Sequence, residues 1–137
     1  MEKVAIVTGA SRGLGRGIAL TLAKEGGYKV YATARNGEAL DELSEEASTN
    51  QTDGMICPYV LDQNDDIAVE HFVSIVFSNE GQINLLVNSS YGGLVAIAPH
   101  FGKPFWDRPI SVFDEAVNIG VRSSYVMSKF VAPIMVG

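Results

Sequence analysis

A cluster of glycines near the beginning of the chain is the pattern most capable of chemistry. Residues 8–15 read Thr-Gly-Ala-Ser-Arg-Gly-Leu-Gly and lie between an apolar run and an amphipathic one. At such a junction the first amides of a helix can bind a phosphate. Gly9 permits a tight turn, Gly13 lets the backbone approach the phosphate, and Gly15 permits close packing of the helix on the strand. The segment predicts a site for the pyrophosphate of a dinucleotide; the alternative is a turn with a structural role only.

Two arginines lie where they could select the kind of dinucleotide. The second apolar run ends at Arg35, where a protein that prefers NAD carries a carboxylate for the ribose hydroxyls. No Asp or Glu occurs between Gly27 and Gly37. Arg12 lies inside the glycine cluster, and a guanidinium matches a phosphate in shape and charge. The pattern predicts binding of NADP, and the alternative is that both arginines are ordinary solvated charges.

The remaining reactive side chains do not group into a site. Cys57 is the only cysteine, which excludes an internal disulfide and a zinc site built from several thiolates. His71 and His100 are not grouped with a cysteine or an acidic partner, so no metal site is predicted. Phe105 and Trp106 could line a substrate pocket or a contact between subunits.

The elements that position these residues alternate between strand and helix. Apolar runs predict strands over residues 4–7, 28–34, 55–61 and 83–87, and amphipathic runs predict helices that include residues 14–22, 40–47, 69–76 and 111–135. This βαβα succession is typical of a parallel sheet covered by helices on both faces. Right-handed crossovers favour the strand order 3-2-1-4. The predicted fold is therefore a Rossmann-type three-layer α/β/α sheet of about four strands, which is incomplete.

Two strands should form the edges of this sheet. Pro58 cannot donate to a strand ladder, which places the third strand at one edge. The fourth strand is then the opposite edge, although it is apolar and uncharged. Residues 89–110 are rich in glycine and proline and predict an irregular loop. The last helix should pack through Phe113, Ala116, Val117 and Gly120.

Length and composition agree with one globular domain. The chain has 137 residues, of which 47% are apolar, and a formal charge of −6. The acidic balance argues against nucleic acid or an anionic membrane as the main partner. Because strand-like sequence begins at Val4 and no apolar run approaches the length of a membrane span, we expect a cytoplasmic protein without a signal peptide.

The motifs resemble those of the short-chain dehydrogenase/reductase family along the whole chain. Residues 8–15 are similar to the family's nucleotide loop, in which Gly9, Ser11, Arg12, Gly13, Leu14 and Gly15 would contact the cofactor. Asp62 resembles the acid that contacts adenine, Asn88 opens the segment where the family has Asn-Asn-Ala-Gly, and Asn118 resembles its catalytic Asn. Within the family the sequence is most similar to the dehydrogenase/reductase family member 1 branch, on residues 16–20, Phe105-Trp106 and Tyr91.

The resemblance implies NADP-dependent oxidoreduction of a carbonyl or alcohol substrate by a protein that forms homo-oligomers when complete. Of the family's Asn-Ser-Tyr-Lys tetrad only Asn118 can be placed. Tyr125 and Lys129 satisfy Tyr-x-x-x-Lys, but Lys129 is about 16 Å along the helix from Asn118, so we interpret this match as coincidental. The chain is expected to end before the catalytic Ser and Tyr-x-x-x-Lys and to be inactive alone. The alternative is a non-catalytic nucleotide-binding or dimerising product.

Overall fold

A four-stranded parallel sheet with helices on both faces forms the fold. The computed structural model describes residues 2–49 and 53–137. The strands are β1 (Val4–Val7), β2 (Lys29–Ala34), β3 (Met55–Val60) and β4 (Leu85–Val87). The helices between them are α1 (Gly13–Lys24), α2 (Gly37–Ser48) and α3 (Asp66–Glu80). All pairings are parallel and the order is β3-β2-β1-β4, which confirms the predicted topology.

The two predicted edges are also confirmed. β3 lies at one edge and carries Pro58 there, exposed. β4 lies at the other edge with all three of its residues half-buried. It is shorter than predicted, and its register with β1 begins at Leu85. Asn84 extends the contact, since its N–H donates to the carbonyl of Val4 and its Oδ1 accepts the N–H of Val4, each at 2.8 Å.

Two apolar cores lie on opposite faces of the sheet, because alternate residues of each strand point to opposite sides. On one face α1 and α2 pack against the sheet through buried residues that include Ala19, Leu40 and Leu43. On the other face α3 and the last helix pack through buried residues that include Phe72, Val76 and Met127. The arrangement has the three layers of an α/β/α fold. No helix in residues 2–49 or 53–137 has both the length and the apolar character needed to cross a bilayer.

Residues 89–110 are more regular than predicted. They contain a short helix, α4 (Gly93–Ile97), and two 3₁₀ turns at Ala98–His100 and Phe105–Asp107. Glycine and proline here separate short helical turns that expose most of their side chains. The expectation of a structureless loop was therefore wrong.

The packed face of the last helix differs from the predicted one at Phe113, whereas Ala116, Val117 and Gly120 are half-buried. It runs through α5 (Ile110–Glu115), a π-helical stretch (Ala116–Arg122) and α6 (Ser123–Val136). Phe113 is 67% exposed, so its predicted packing role was wrong. A π turn takes more residues than an α turn and shifts the phase of the buried stripe. The buried residues of this helix are Ile119, Ser123, Val126, Met127 and Val131.

A largely buried ion pair joins the beginning of β2 to the end of α3. The carboxylate of Glu80 accepts from Lys29 Nζ and from the hydroxyl of Tyr31, each at 2.7 Å. These two donors hold the pKa of Glu80 below its ordinary value, and Glu80 in turn raises the pKa of Lys29. The pKa of Tyr31 is raised, first by burial and then by this hydrogen bond.

This network predicts a defined pH dependence of stability. Glu80 stabilises the fold above its unfolded pKa, and this contribution is lost as the pH falls through its lowered folded pKa. Lys29 contributes below its unfolded pKa and loses its contribution as the pH rises through its raised folded pKa. Glu80→Gln should lower the free energy of unfolding by about 1 kcal/mol at about pH 7 and by much less at about pH 3. Urea denaturation at both pH values measures this, and an equal loss at both would contradict the assignment.

Candidate nucleotide-binding site

The amino-terminal end of α1 meets the carboxyl end of β1 at a sharp glycine turn. Arg12 precedes α1 in an extended conformation, with φ −159° and ψ 168°, and its side chain does not cap the helix. The first amides of a helix have no partner within the helix itself. The side chain of Arg12 does not accept a hydrogen bond from these amides. The positive end of the helix dipole lies at the same end of α1. This end of α1 is suited to bind an anion.

The glycines of this turn are required for different steric reasons. Gly9 has φ +60°, and a Cβ on it would overlap the backbone carbonyl of Ser89. A Cβ on Gly15 would overlap the carbonyl oxygen of Gly9, so α1 lies directly against the turn. Gly13 also has φ +60°, but a Cβ there would meet no atom within 4 Å. Gly9 and Gly15 allow close packing within the protein, whereas the space beside Gly13 is open.

Thr8 joins this turn to the segment after β4. Its hydroxyl oxygen accepts the backbone N–H of Ser89 at 3.0 Å and that of Ser90 at 3.3 Å. The Thr8 side chain is buried, and its own N–H donates to the carbonyl of Val87. Sequence reasoning missed this role because the partners lie 81 and 82 residues away. The available signal was a hydroxyl residue directly after an apolar strand.

Replacement of Thr8 by valine should therefore weaken the contact between the glycine turn and the segment after β4. Valine has nearly the same shape but leaves the amides of Ser89 and Ser90 without an acceptor, at a cost of about 1–3 kcal/mol for a buried donor. Thr8→Ser keeps the oxygen and should lose less stability. Hydrogen exchange of the Ser89 and Ser90 amides reports the change directly. Equal protection in the two variants would show that the hydroxyl does not hold this segment.

The two predicted arginines lie exposed at this edge of the sheet. Arg12 lies just before α1 and Arg35 just after β2. Neither has an ion-pair partner among residues 2–49 and 53–137. By contrast, Arg16 in the second turn of α1 pairs with Glu46 of α2. The charges of Arg12 and Arg35 are therefore free to face a ligand.

Three polar residues lie at the carboxyl ends of the neighbouring strands, and two of them have a buried polar atom without a partner in the described part of the chain. Asp62 is exposed after β3, and its Oδ1 accepts the N–H of Asn64 at 2.9 Å. In the described part of the chain, the buried hydroxyl of Thr33 and the buried amide nitrogen of Gln63 have no hydrogen-bond partner. Buried polar atoms are normally satisfied. Their position at the carboxyl edge fits a site that receives a polar ligand.

Asn88 and Asn118 belong to segments that the last helix brings together. Asn88 directly follows β4, and its Nδ2 donates to Ser128 Oγ of α6 at 3.1 Å. Asn118 is exposed inside the π-helical stretch, whose next residue, Ile119, packs against Gly92. π-helical turns inside α-helices are frequent at functional sites. The irregularity at Asn118 was not predicted, since a local apolar pattern does not distinguish it from an α-helix.

Ser11 and Leu14 complete the predicted loop residues. Ser11 is half-buried in the turn, while Leu14 is 76% exposed in the first turn of α1. An exposed leucine beside uncapped amides gives a surface on which a ligand can rest. The side chain of Leu14 can be changed without disturbing either core.

Tyr125 and Lys129 lie apart from the glycine turn. They line a shallow depression of about 230 Å³ between α3 and α6. It is bordered by a two-pronged ion pair, in which Arg122 donates to both carboxylate oxygens of Asp66 at 2.8 and 2.7 Å. This pair lowers the pKa of Asp66. None of the residues that line the depression belongs to the glycine loop, and in the described residues no cluster of His, Cys, Asp or Glu could hold a metal ion.

The fold and this site together define a class of protein. A parallel sheet of order 3-2-1-4, with a glycine turn between β1 and the uncapped start of α1, is the arrangement of Rossmann-type nucleotide-binding domains. The model of the family described as short chain dehydrogenase matches residues 3–137. The chain belongs to this family, and the predicted resemblance is confirmed.

Known relatives support the same assignment. "Dehydrogenase/reductase SDR family member 1" from Mus musculus and from Homo sapiens are each 38% identical over 135 residues, covering 98% of this chain and 42% of the relative. The chain thus spans less than half the length of these relatives. A metagenomic short-chain oxidoreductase solved in complex with NADP has a TM-score of 0.83 and 28% identity, with 98% of this chain and 57% of the other covered. A 7α-hydroxysteroid dehydrogenase complexed with NADH has a TM-score of 0.77 and 30% identity, with 97% and 48% covered.

Proposed function

We propose that this chain is the cofactor-binding part of an NADP-dependent short-chain oxidoreductase that acts on a carbonyl or alcohol substrate. Residues 1–137 would form the amino-terminal part of a single NADP-binding domain. The observation that carries the proposal is the uncapped start of α1 behind the Gly9 turn, with Arg12 and Arg35 unpaired beside it. The helix amides and the two arginines lie at the same edge of the sheet, where such a fold binds a dinucleotide phosphate.

The residues present fit NADP in charge and in shape. Backbone amides of the loop would hold the pyrophosphate, and the residues concerned are Gly9, Ser11, Gly13, Leu14 and Gly15. Arg12 and Arg35 would bind the 2′-phosphate, and Asp62 would accept from the adenine amine. Asn88 would hold the segment beneath the nicotinamide ribose through its bond to Ser128. The nicotinamide, when bound, supplies hydride to a carbonyl carbon or removes it from an alcohol.

Asn118 is the residue that we assign to the catalytic machinery. Its amide, exposed on the π-helical stretch, would hold a water of the relay that carries a proton to or from the substrate oxygen. Ile119, next to it, is packed against Gly92 and fixes the position of this turn. Asn118 is thus next to a packed residue of the helix, and a positioned proton relay requires such support.

A negative charge introduced at the start of α1 tests the proposal without disturbing the fold. Leu14→Asp should lower NADPH affinity at least about tenfold, since a carboxylate there repels phosphate. The same carboxylate interacts favourably with the helix dipole, so the free energy of unfolding should be unchanged or slightly higher. Leu14→Asn is the uncharged control of the same shape. NADPH fluorescence titration and thermal unfolding measure both quantities, and wild-type NADPH affinity in Leu14→Asp would overturn the proposal.

A further inference from the structure

An exposed apolar groove lies next to the candidate site. It has a volume of about 420 Å³, within the range of small-molecule pockets, and is formed by the segment after β4 and the beginning of α5. Phe105, Ile110 and Phe113 line it, and these three side chains are 78%, 80% and 67% exposed. Exposed apolar side chains that line one groove are typical of ligand-binding grooves and of protein interfaces. We refer to it as the aromatic groove.

The aromatic groove is continuous with the segments that carry the site. Tyr91, which lines it, follows Ser90, whose amide is held by Thr8. The ring of Tyr91 lies beside Gly120 in the π-helical stretch. Ala116, at the start of that stretch, also lines the groove, two residues before Asn118. The groove therefore lies against the π-helical stretch that carries Asn118, although Asn118 itself is on another side of the helix, since residues two apart do not share a face.

Arg108 is the single charged residue of the groove lining. It is half-buried, whereas the residues on both sides of it, from 101 to 107 and 109 to 111, are exposed. Its Nε donates to the carbonyl of Lys103 at 3.1 Å, which orients the guanidinium. Within the described ranges no carboxylate lies at ion-pair distance from it. An oriented and unpaired guanidinium at the border of an apolar groove is complementary to a carboxylate.

We propose that the aromatic groove binds the substrate, and that this substrate has an apolar body with a carboxylate that pairs with Arg108. The identification of the ligand as the substrate rests on the proposed oxidoreductase function; the binding of an amphipathic carboxylate does not. The apolar body would cover the rings of Phe105 and Phe113, and the carboxylate would lie against the guanidinium of Arg108. The groove thereby selects carboxylate-bearing carbonyl compounds and alcohols over neutral ones of the same size.

Trp106, the single tryptophan, gives a direct measurement on the 137-residue chain. Its ring contacts that of Phe105 with the centroids 5.4 Å apart, so its emission reports on the groove. Octanoate and octanol are the probes, because they share an apolar chain and differ in charge. Octanoate should bind at least about tenfold more tightly, the effect of one charge-assisted hydrogen bond. This difference should decrease at high salt, since Arg108 is partly exposed.

Two variants separate the charge from the apolar surface. Arg108→Gln should reduce octanoate affinity to that of octanol, whereas Phe113→Ser should weaken both probes. Arg16→Gln removes an equal charge elsewhere, at a residue that pairs with Glu46, and should leave octanoate binding unchanged. Arg108→Lys is a milder change that should give an intermediate affinity for octanoate. Far-ultraviolet circular dichroism shows whether each variant is folded.

The outcomes are distinct. Equal binding of the two probes, or octanoate binding that Arg108→Gln does not alter, overturns the inference. Trp106 emission that changes with protein concentration without a probe, together with a dimer in sedimentation, would assign the groove to a second copy of this chain and overturn it as well. NADPH affinity is measured separately on the same proteins. Its absence would contradict the proposed function while the octanoate result still decides the inference.

Discussion

Substitution of Gly9 by alanine should cause a large loss of stability. The residue has φ +60°, where a side chain costs about 1–2 kcal/mol. The new Cβ would also overlap the backbone carbonyl of Ser89, which belongs to a segment held by Thr8. Because backbone cannot rotate away as a side chain can, we expect a total loss of about 3 kcal/mol or more. That is a large part of the 5–15 kcal/mol that stabilises an ordinary domain.

Gly13→Ala is the matched control for this prediction. Gly13 has the same φ of +60°, but its added Cβ would meet no atom within 4 Å. The control should therefore lose only the conformational part, about 1–2 kcal/mol. Urea denaturation measures the free energy of unfolding of both variants, and the difference between the two losses is the cost of the overlap with Ser89. Equal losses in the two variants would show that the segment after β4 moves freely away from the turn.

Much of the fold could be predicted because its signals are local. Pro58 marked an edge strand, and the alternation of apolar and amphipathic runs indicated a parallel sheet of order 3-2-1-4. In the last helix the predicted packing of Phe113 was wrong, and the π-helical stretch that follows it was not predicted. Within that stretch Ile119 lies against Gly92, a tertiary contact that no periodicity within the helix encodes.

The candidate site was predictable to the extent that glycine spacing is local. The turn at Gly9 and the approach of Gly15 follow from residue types within one short segment. The role of Thr8 depends on amides 81 and 82 residues away, and the bond between Asn88 and Ser128 spans 40 residues. Such pairs are determined by the tertiary fold, so a reading of one sequence identifies the residue types but not their partners.

Arg35→Asp should reverse the preference between the two nicotinamide dinucleotides, which is the largest functional effect that we expect. Arg35 directly follows β2, is exposed and has no ion-pair partner among the described residues. One charge-assisted hydrogen bond to a 2′-phosphate contributes about 1.5–3 kcal/mol, and about 1.4 kcal/mol corresponds to tenfold in affinity. The wild-type chain should therefore bind NADPH at least about tenfold more tightly than NADH. In the variant the carboxylate repels the phosphate and can accept from the ribose hydroxyls of NADH.

The matched control removes a cation that faces the protein instead of the ligand. Arg16 lies four residues beyond Arg12 on α1 and pairs with Glu46, so Arg16→Gln changes the net charge but should leave the ratio of the two affinities unchanged. Arg12→Gln should weaken NADPH and leave NADH nearly unaffected. Fluorescence titrations at several salt concentrations measure each ratio, and the effect of Arg35 should shrink as salt screens an exposed charge. If NADPH and NADH bind equally and neither Arg12→Gln nor Arg35→Asp changes their ratio, the cations at this edge do not select the cofactor.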